Sequence, residues 1–346
     1  MEEELFSRYS RQIFFQPIGI EGQKRLSRGY ALVIGCGATG SASAGMLARA
    51  GVGRLRIIDR DFLEETNLQR QSLFDEEDLK TGLPKATLAE KNLSRINSSI
   101  KVEGIVADAN PSNIEDLVMG ADVILDGTDN FETRFLINDY ALNTLTPWIY
   151  AACTGSQGML MNIVPQETPC LRCLLETSPP VGAIPTCETA GILGPTAQLI
   201  SSIQTAEAIK ILTGRSELLI KDLVRVDTWA GTLQRLNLSD ARPDNCSACR
   251  LGRYDFLHAR MGVMTTTLCG NNAVQIVPTN GSKIRLEELA SRLSKLGDVT
   301  HNPFLLRFKL RDRDIEMVVF PDGRAIIQGT KESSLARDLY SKYIGM

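Results

Sequence analysis

The run Tyr30–Asp59, YALVIGCGATGSASAGMLARAGVGRLRIID, limits what this chain can fold into more than any other stretch. An apolar strand, YALVI, enters Gly35-Cys36-Gly37-Ala38-Thr39-Gly40. A small-residue helix over 41–51 follows and stops at Gly51, and a second apolar strand, 54–59, ends on Asp59. Strand, glycine turn, helix and strand in that order open a β-α-β unit. Glycines let the backbone approach a phosphate or ribose closely, the helix N-terminus favours negative charge, and the acid can hold ribose hydroxyls. Gly35, Gly37, Gly40 and Asp59 are therefore candidate contacts for an adenine nucleotide. The pattern does not separate NAD from ATP, and tight packing alone would also explain a glycine turn.

The alternation continues. A helix is expected over 84–97 with Pro84 in its first turn, and strands within 100–108 and 121–129 with a short helix at about 112–120 between them. An amphipathic helix is expected over 131–143, strands over 147–153 and 159–164, and a helix over 195–214 closed by Gly214. Late strands within 219–227 and 232–238 read as antiparallel. The fold class is α/β: a Rossmann-like, mainly parallel sheet with helices on both faces and late antiparallel strands. The pattern breaks near 250. Residues 265–346 read as a small α+β module, with strands at 273–278, 304–310, 315–320 and 324–328 and helices at 284–296 and 333–343. Two domains, 1–250 and 265–346, are expected.

The 346 residues carry 38 Lys and Arg against 41 Asp and Glu, a net charge of −3. That balance makes no electrostatic case for nucleic acid or an anionic membrane. No apolar run is long enough to span a bilayer, and the acidic N-terminus lacks a signal peptide's apolar core. The expected location is cytoplasmic, where the eight cysteines stay mostly reduced.

No G-x-x-x-x-G-K-[ST] loop or protein-kinase motif set occurs, so any phosphate chemistry must use other residues. Arg70 in NLQRQ, Lys85 after Pro84 and Asp129 in DGTDN fall just past strands or at helix starts, where an open α/β sheet puts its ligand. Arg and Lys suit a pyrophosphate leaving group, and a carboxylate such as Asp129 suits Mg²⁺. Taken singly, each could be an ordinary surface charge.

Cys170 and Cys173 are separated from Cys246 and Cys249 by 72 residues, in a C-x₂-C…C-x₂-C set. Four thiolates suit a closed tetrahedral Zn²⁺ site, structural because no position stays open for water. The rival reading is a redox C-x-x-C pair, and neither pair reads as opening a helix, as that chemistry would prefer. Cys36 and Cys153 read as packing groups and Cys269 as buried filler or a sulfur-handling thiol. His258 and His301 are isolated. Cys187 lies in the Pro- and Gly-rich stretch 178–195, expected to be a mobile loop, and reads equally as a nucleophile or a bystander.

In order along residues 4–250 stand RYSRQ (8–12), GCGATG, DRD and NLQRQ (59–71), Pro84-Lys85, DGTDN with Arg134, the paired cysteines and CETAGILGP (187–195). Together they resemble the ThiF/MoeB/HesA family of E1-like adenylyltransferases. The resemblance implies adenylation, with ATP and Mg²⁺, of the C-terminal glycine of a ubiquitin-like sulfur carrier ending Gly-Gly. Pyrophosphate is released, and sulfur then opens the acyl-adenylate to a thiocarboxylate. It implies that Gly35, Gly37, Gly40, Asp59, Asp61, Asn67, Arg70, Lys85, Asp129 and Asn130 bind the nucleotide and its metal. Arg11 would reach the other active site of a homodimer, and Cys187 corresponds to a position where some relatives bind the carrier covalently. A cysteine desulfurase or another sulfur donor is an implied partner.

A carrier carboxylate is already ionised at pH 7, so attack on the α-phosphate needs no general base. The obstacle is charge: two unit charges at 4 Å repel by about 4 kcal/mol at an effective dielectric of 20. Arg11, Arg70, Lys85 and Mg²⁺ would offset it. Residues 265–346 lack a rhodanese-like loop and look like an appendage of some ThiF-like proteins, for carrier or donor docking or for extra dimer surface. The C-terminal Ile-Gly-Met does not suggest that the chain is itself a carrier. An NAD(P)-dependent oxidoreductase is the alternative, and a non-catalytic zinc scaffold is third. The carrier would be ThiS-like, for thiamine thiazole, or MoaD-like, for molybdopterin.

Overall fold

All five residues of strand β1 (Tyr30–Ile34) are buried, as suits a strand flanked on both edges and covered on both faces. The computed structural model describes residues 2–177, 179, 187–258, 263–268, 273–278, 283–303 and 305–345. Helices α1 (Glu2–Ile13) and α2 (Gly19–Leu26) precede β1. After it come α3 (Ala38–Ala50), β2 (Arg54–Ile58), α4 (Glu76–Thr81), α5 (Lys85–Ile96) and β3 (Lys101–Ile105). Then follow α6 (Ile114–Val118), β4 (Val123–Asp126), α7 (Phe131–Thr144), β5 (Trp148–Thr154) and β6 (Gln157–Ile163). Two short helices, α8 (Leu171–Leu174) and α9 (Cys187–Ala190), lead to the 20-residue α10 (Gly194–Thr213), β7 (Leu223–Asp227) and β8 (Thr232–Leu236).

These strands form one sheet in the order β3-β2-β1-β4-β5-β6-β7-β8. The first five are parallel and the last three antiparallel. The antiparallel part thus begins at β6, one strand before the two late strands from which it was expected. The reason is local: only Gly155 and Ser156 separate β5 from β6, room for a hairpin but not for a crossover helix. Ile34 pairs with both Ile58 and Asp126, so β1, β2 and β4 end level and the loops after them share one edge. The strand order reverses between β1 and β4, the switch point where doubly wound sheets bind ligands.

The expected amphipathic helix over 131–143 is α7, but residues 134–142 are all buried. A helix enclosed on all sides has no solvent face to keep polar. Its polar residues are satisfied internally: the fully buried Asn138 accepts the Leu171 N–H at 2.8 Å through Oδ1. Among the described residues, no helix is long and apolar enough to cross a membrane.

The chain divides into two compact units. The first holds residues 1–128, 136–176 and 192–254, and its core includes Val33, Leu47, Leu55, Ile57, Leu125, Ile149 and Ile200. The second gathers 129–135, 177–191 and 255–346. It contains β9 (Val263–Leu268), β10 (Ala273–Pro278), α11 (Leu286–Leu293), β11 (Gly297–Asn302), β12 (Leu305–Leu310), β13 (Glu316–Val319), β14 (Ala325–Gln328) and α12 (Ser333–Tyr343). Its six strands run antiparallel in the order β11-β12-β13-β14-β10-β9. Along β12, Leu306, Phe308 and Leu310 are buried while Arg307 and Lys309 are exposed, the period of two that one covered face imposes. Leu289 and Leu293 of α11 and Leu339 and Tyr340 of α12 complete this second core.

Candidate nucleotide site and cysteine cluster

The loop after β1 is built by close backbone approach. Gly35 has φ +87°, and a Cβ there would lie 2.4 Å from the Gly127 carbonyl oxygen. A Cβ on Gly127 would lie 2.2 Å from the Gly35 oxygen, and one on Gly40 1.9 Å from the same atom. The turn after β1, the turn after β4 and the start of α3 therefore touch backbone to backbone. Gly37 differs: a Cβ there meets only the Gly127 oxygen, at 3.8 Å, so its bareness serves no internal packing. It stands just before α3, where unpaired helix N–H groups begin.

Asp59 ties this loop to β2. Its Oδ2 accepts the Cys36 N–H at 2.6 Å and its Oδ1 the Asp61 N–H at 2.7 Å. Burial pushes its carboxyl up to about 6; Lys85 opposes that shift, the Asp61 charge adds to it, and the two N–H bonds oppose it. Lys85, the first residue of α5, is itself buried, and its Nζ lies 3.4 Å from Asp61 Oδ2. The Lys85 N–H also donates to the Asp61 carbonyl at 2.8 Å. Cys36 is fully buried, and burial and the neighbouring Asp59 carboxylate hold its thiol protonated, which leaves it a packing role.

Asn67 and Arg70 occupy the next turn. Asn67 is buried; its Oδ1 accepts the Glu64 N–H at 3.1 Å, and its carbonyl accepts the N–H groups of Arg70 and Gln71. The half-buried Arg70 donates from Nη1 to the Thr66 carbonyl at 2.7 Å. The start of α10 packs on this turn: a Cβ on Gly194 would lie 3.0 Å from the Gln69 carbonyl and 3.9 Å from the Arg70 Cβ. Gln198 Nε2 donates to Ser72 Oγ at 3.0 Å. One turn further, Ser201 Oγ donates to the Thr39 carbonyl at 3.0 Å, and Ser43 Oγ donates to Gln204 Oε1 at 2.7 Å. Gln204 Nε2 reaches the carbonyls of Asp126 at 2.9 Å and Ile149 at 3.0 Å. Helix α10 thus ties the Arg70 turn to α3 and to the end of β4.

The glycine loop, Asp59, Asp61 and Lys85 are therefore brought together, and Asn67 and Arg70 join them through α10. Asp129 and Asn130 follow Gly127 in the turn past β4. They belong to the second unit, 3.4 Å apart between Asp129 Oδ1 and Asn130 Nδ2. Arg134 is buried, with its guanidinium over the Phe131 ring at 5.5 Å. Arg11 is exposed near the end of α1, its guanidinium carbon 6.0 Å from the Phe14 ring centroid. The backbone of Cys187 begins α9; the side chain of Cys187, residues 178 and 180–186 of the expected mobile loop, and Cys269 lie outside the described residues. Sequence reading passed over Asp126, Gly127 and Gln204. Asp126 is fully buried and its Oδ1 accepts both the N–H of Thr128 at 2.9 Å and its hydroxyl at 2.7 Å. The first two sat inside DGTDN and could have been found there; Gln204 carries no local signal.

The four paired cysteines converge. Their sulfurs lie within 4.8 Å of one another, with Cys170–Cys173 and Cys170–Cys246 at 3.7 Å and Cys173–Cys249 at 3.5 Å. A tetrahedron with 2.3 Å metal–sulfur bonds has edges of about 3.8 Å. One expectation is corrected: Cys170 does open a helix, standing at the N-cap of α8. What opposes a redox pair is the convergence of all four sulfurs, which a two-cysteine redox centre does not call for and a tetrahedral metal site does. Sharing protons with Cys173 and Cys249 raises Cys170, while Cys249 is pushed down by hydrogen bonds from Cys170, Cys173 and Arg242. Cys153 is half-buried against the core of the first unit.

The family model described as ThiF family matches residues 9–248. The chain is 43% identical over 340 residues to the sulfur carrier protein ThiS adenylyltransferase of Bacillus subtilis, covering 98% of this chain and 99% of that protein. It is 34% identical to the sulfur carrier protein adenylyltransferase of Thermus thermophilus, over 72% of this chain and 92% of the relative. Among solved structures, the microcin C7 biosynthetic enzyme MccB in complex with N-formylated MccA superposes with a TM-score of 0.62 at 25% identity, over 70% of this chain and 74% of that one.

Proposed function

The chain belongs to the ThiF family, and from that we propose that it adenylates the C-terminal glycine of a ubiquitin-like sulfur-carrier protein at the expense of ATP. The observation that carries this reading is the full-length likeness to a protein named for that activity on ThiS. The relatives reported above are named as adenylyltransferases and give the oxidoreductase reading no support. We favour ThiS over MoaD as the carrier, hence thiamine-thiazole formation, because the full-length relative is named for ThiS.

The loops at the switch point would hold the nucleotide. Gly35, Gly37 and Gly40 admit it, Asp59 accepts from ribose hydroxyls, and Asp61 and Asn67 shape the walls. Arg70 and Lys85 face the phosphates. Asp129, beside Asn130, offers the hard oxygen that Mg²⁺ prefers, and the ion would neutralise phosphate charge. A carrier carboxylate oxygen attacks the α-phosphorus; the bond from that phosphorus to the bridging oxygen breaks, and pyrophosphate leaves with the electron pair. Arg70 and Lys85 stabilise the charge that builds there. A sulfur nucleophile then attacks the acyl carbon and AMP departs with the carbon–oxygen bond's electrons. Cys187, as thiolate, is the chain's candidate for that sulfur and would form a thioester; hydrosulfide, supplied by a cysteine desulfurase with a thiol reductant or by another donor, would then attack the thioester carbon and expel the Cys187 thiolate.

The four-cysteine cluster fits Zn²⁺, which four thiolates would hold structurally. Arg11 would complete the site of a second copy in a homodimer, and the exposed Phe14 and Phe15 beside it support a covered surface. We assign adenylation to residues 1–250 and leave 265–346 as a distinct module of a cytoplasmic protein. The test is ATP–pyrophosphate exchange with Mg²⁺ and purified carriers ending Gly-Gly, ThiS-like and MoaD-like. Exchange and an AMP-linked carrier are expected with the ThiS-like protein; absence of both with every carrier overturns the proposal.

A further inference from the structure

The segment that carries Cys187 does not group with the residues that flank it in sequence. Residues up to 176 and from 192 belong to the first unit, yet 177–191 belong to the second. Within that second unit, α9 (Cys187–Ala190) packs against both α11 and α12. A one-turn helix has almost no stability of its own, since nucleation costs more than one turn returns. Its helical form therefore depends on the surface that receives it. The family match ends at residue 248, before α11 begins, whereas the match to the full-length Bacillus relative spans nearly the whole chain. The receiving surface is thus an addition to the family's common part.

The receiving helices carry more than a core face. Leu286, Leu289 and Leu293 of α11 and Ala336, Leu339 and Tyr340 of α12 face the sheet. Next to that stripe on α12 stand Arg337 and Ser341, four residues apart and so on one side of the helix. Arg337 is half-buried and Ser341 is 4% exposed. On α11, Arg292 is also half-buried, and burial lowers its guanidinium from the usual arginine value. Ser341 is covered on its side of α12, while the two arginines keep part of their side chains in water beside the same helices. On α9, Thr189 is half-buried as well.

We propose that the C-terminal module is the seat of the Cys187 turn: α11 and α12 hold α9 and so set how the thiol is presented for the step after adenylation. The roles of adenylation and of Cys187 come from the reading above, whereas the seating itself does not depend on them. Arg292 and Arg337 are positioning residues under this proposal, and adenylation, assigned to residues 1–250, is independent of them.

The experiment uses the full chain. Alkylation of Cys187 by iodoacetamide is followed by mass spectrometry, beside ATP–pyrophosphate exchange and thiocarboxylate yield. The variants are Arg337→Glu, Arg292→Glu and, on α9 itself, Thr189→Arg, which leaves the module's own sheet and helices α11 and α12 unaltered in sequence. Releasing the turn should change the alkylation rate by on the order of tenfold in the same direction for all three. Thiocarboxylate yield should fall while exchange stays within about twofold; Arg337→Lys should restore both alkylation and yield. The proposal is overturned if Thr189→Arg and the two arginine variants leave the Cys187 alkylation rate at the wild-type value, or if exchange and yield fall in proportion. A wild-type chain that forms no adenylate overturns the adenylation reading alone, because the alkylation arm needs no ATP.

Discussion

Asp59 shows what a single buried carboxyl can report. Burial raises it to about 6, so the folded chain favours the protonated acid. The stability gained that way is complete below the ordinary carboxylate range and is lost as pH climbs through about 6. Ligand binding runs the other way, because ribose hydroxyls donate to the ionised form. Adenosine, which has no phosphate to titrate, should bind with a Kd that rises about tenfold per unit as pH falls below 6. The dependence should vanish in Asp59→Asn, measured by calorimetry; a wild-type profile flat from pH 5 to 8 would remove Asp59 from the ribose. Arg70 is the second residue-scale case. It holds the Thr66 carbonyl through Nη1 and lies beside the start of α10, so its backbone is fixed by a turn and a helix. Arg70→Ala should cut exchange by about 10²–10³-fold, near the loss seen when one preorganised donor is removed from a developing oxyanion. Unaltered exchange in a folded Arg70→Ala protein would take it off the phosphates.

At the scale of elements, the glycine loop separates packing from ligand access. Gly35→Ala puts a Cβ 2.4 Å from the Gly127 oxygen at a positive φ, so it should cost about 1–3 kcal/mol and lower the Tm as well as nucleotide binding. Gly37→Ala meets only an ordinary contact, so the Tm should hold while ATP binding weakens. Equal Tm losses in the two variants would mean that Gly37 is bare for folding and not for a ligand. The β-α-β unit, Asp59 and Lys85 were legible in the sequence because strand, turn and helix signals there are local, and α10 announced itself by Pro195 and Gly214. The rest was legible only in part. Strands β9 and β11 escaped notice, the latter because GDVTHN offers mixed polarity where a strand signal needs alternation. Helix α7 was found, but its enclosure depends on what surrounds it and not on its own pattern. The grouping of 129–135 and 177–191 with residues beyond 255 joins segments far apart in sequence, and no periodicity records that.

For the molecule as a whole, the cysteine cluster is the tie that sequence distance makes most consequential. It joins the segment after β6 to the segment after β8, across 72 intervening residues that include α10, and all four sulfurs belong to the first unit. An apolar core can tolerate such a distance, but Cys246 and Cys249 lie in a stretch after β8 made largely of turns and dominated by polar residues. What fixes that stretch is the cluster itself, with help from Arg172, whose Nη1 donates to the Arg253 carbonyl at 2.9 Å. Four thiols at 3.5–3.7 Å crowd one another without a cation, since ionising a second one brings like charges together. A divalent ion reverses this by taking all four as thiolates. The purified chain should therefore contain one zinc per polypeptide by elemental analysis. Chelation, or Cys170→Ala, should lower the Tm by roughly 10 °C through loss of the cross-link. Because no coordination position is left open, exchange below that lower Tm should persist, and zinc should restore the Tm of the chelated wild type but not of the variant. Freshly prepared protein with four rapidly reactive thiols, no zinc and an unchanged Tm after chelation would leave the cluster without a structural role.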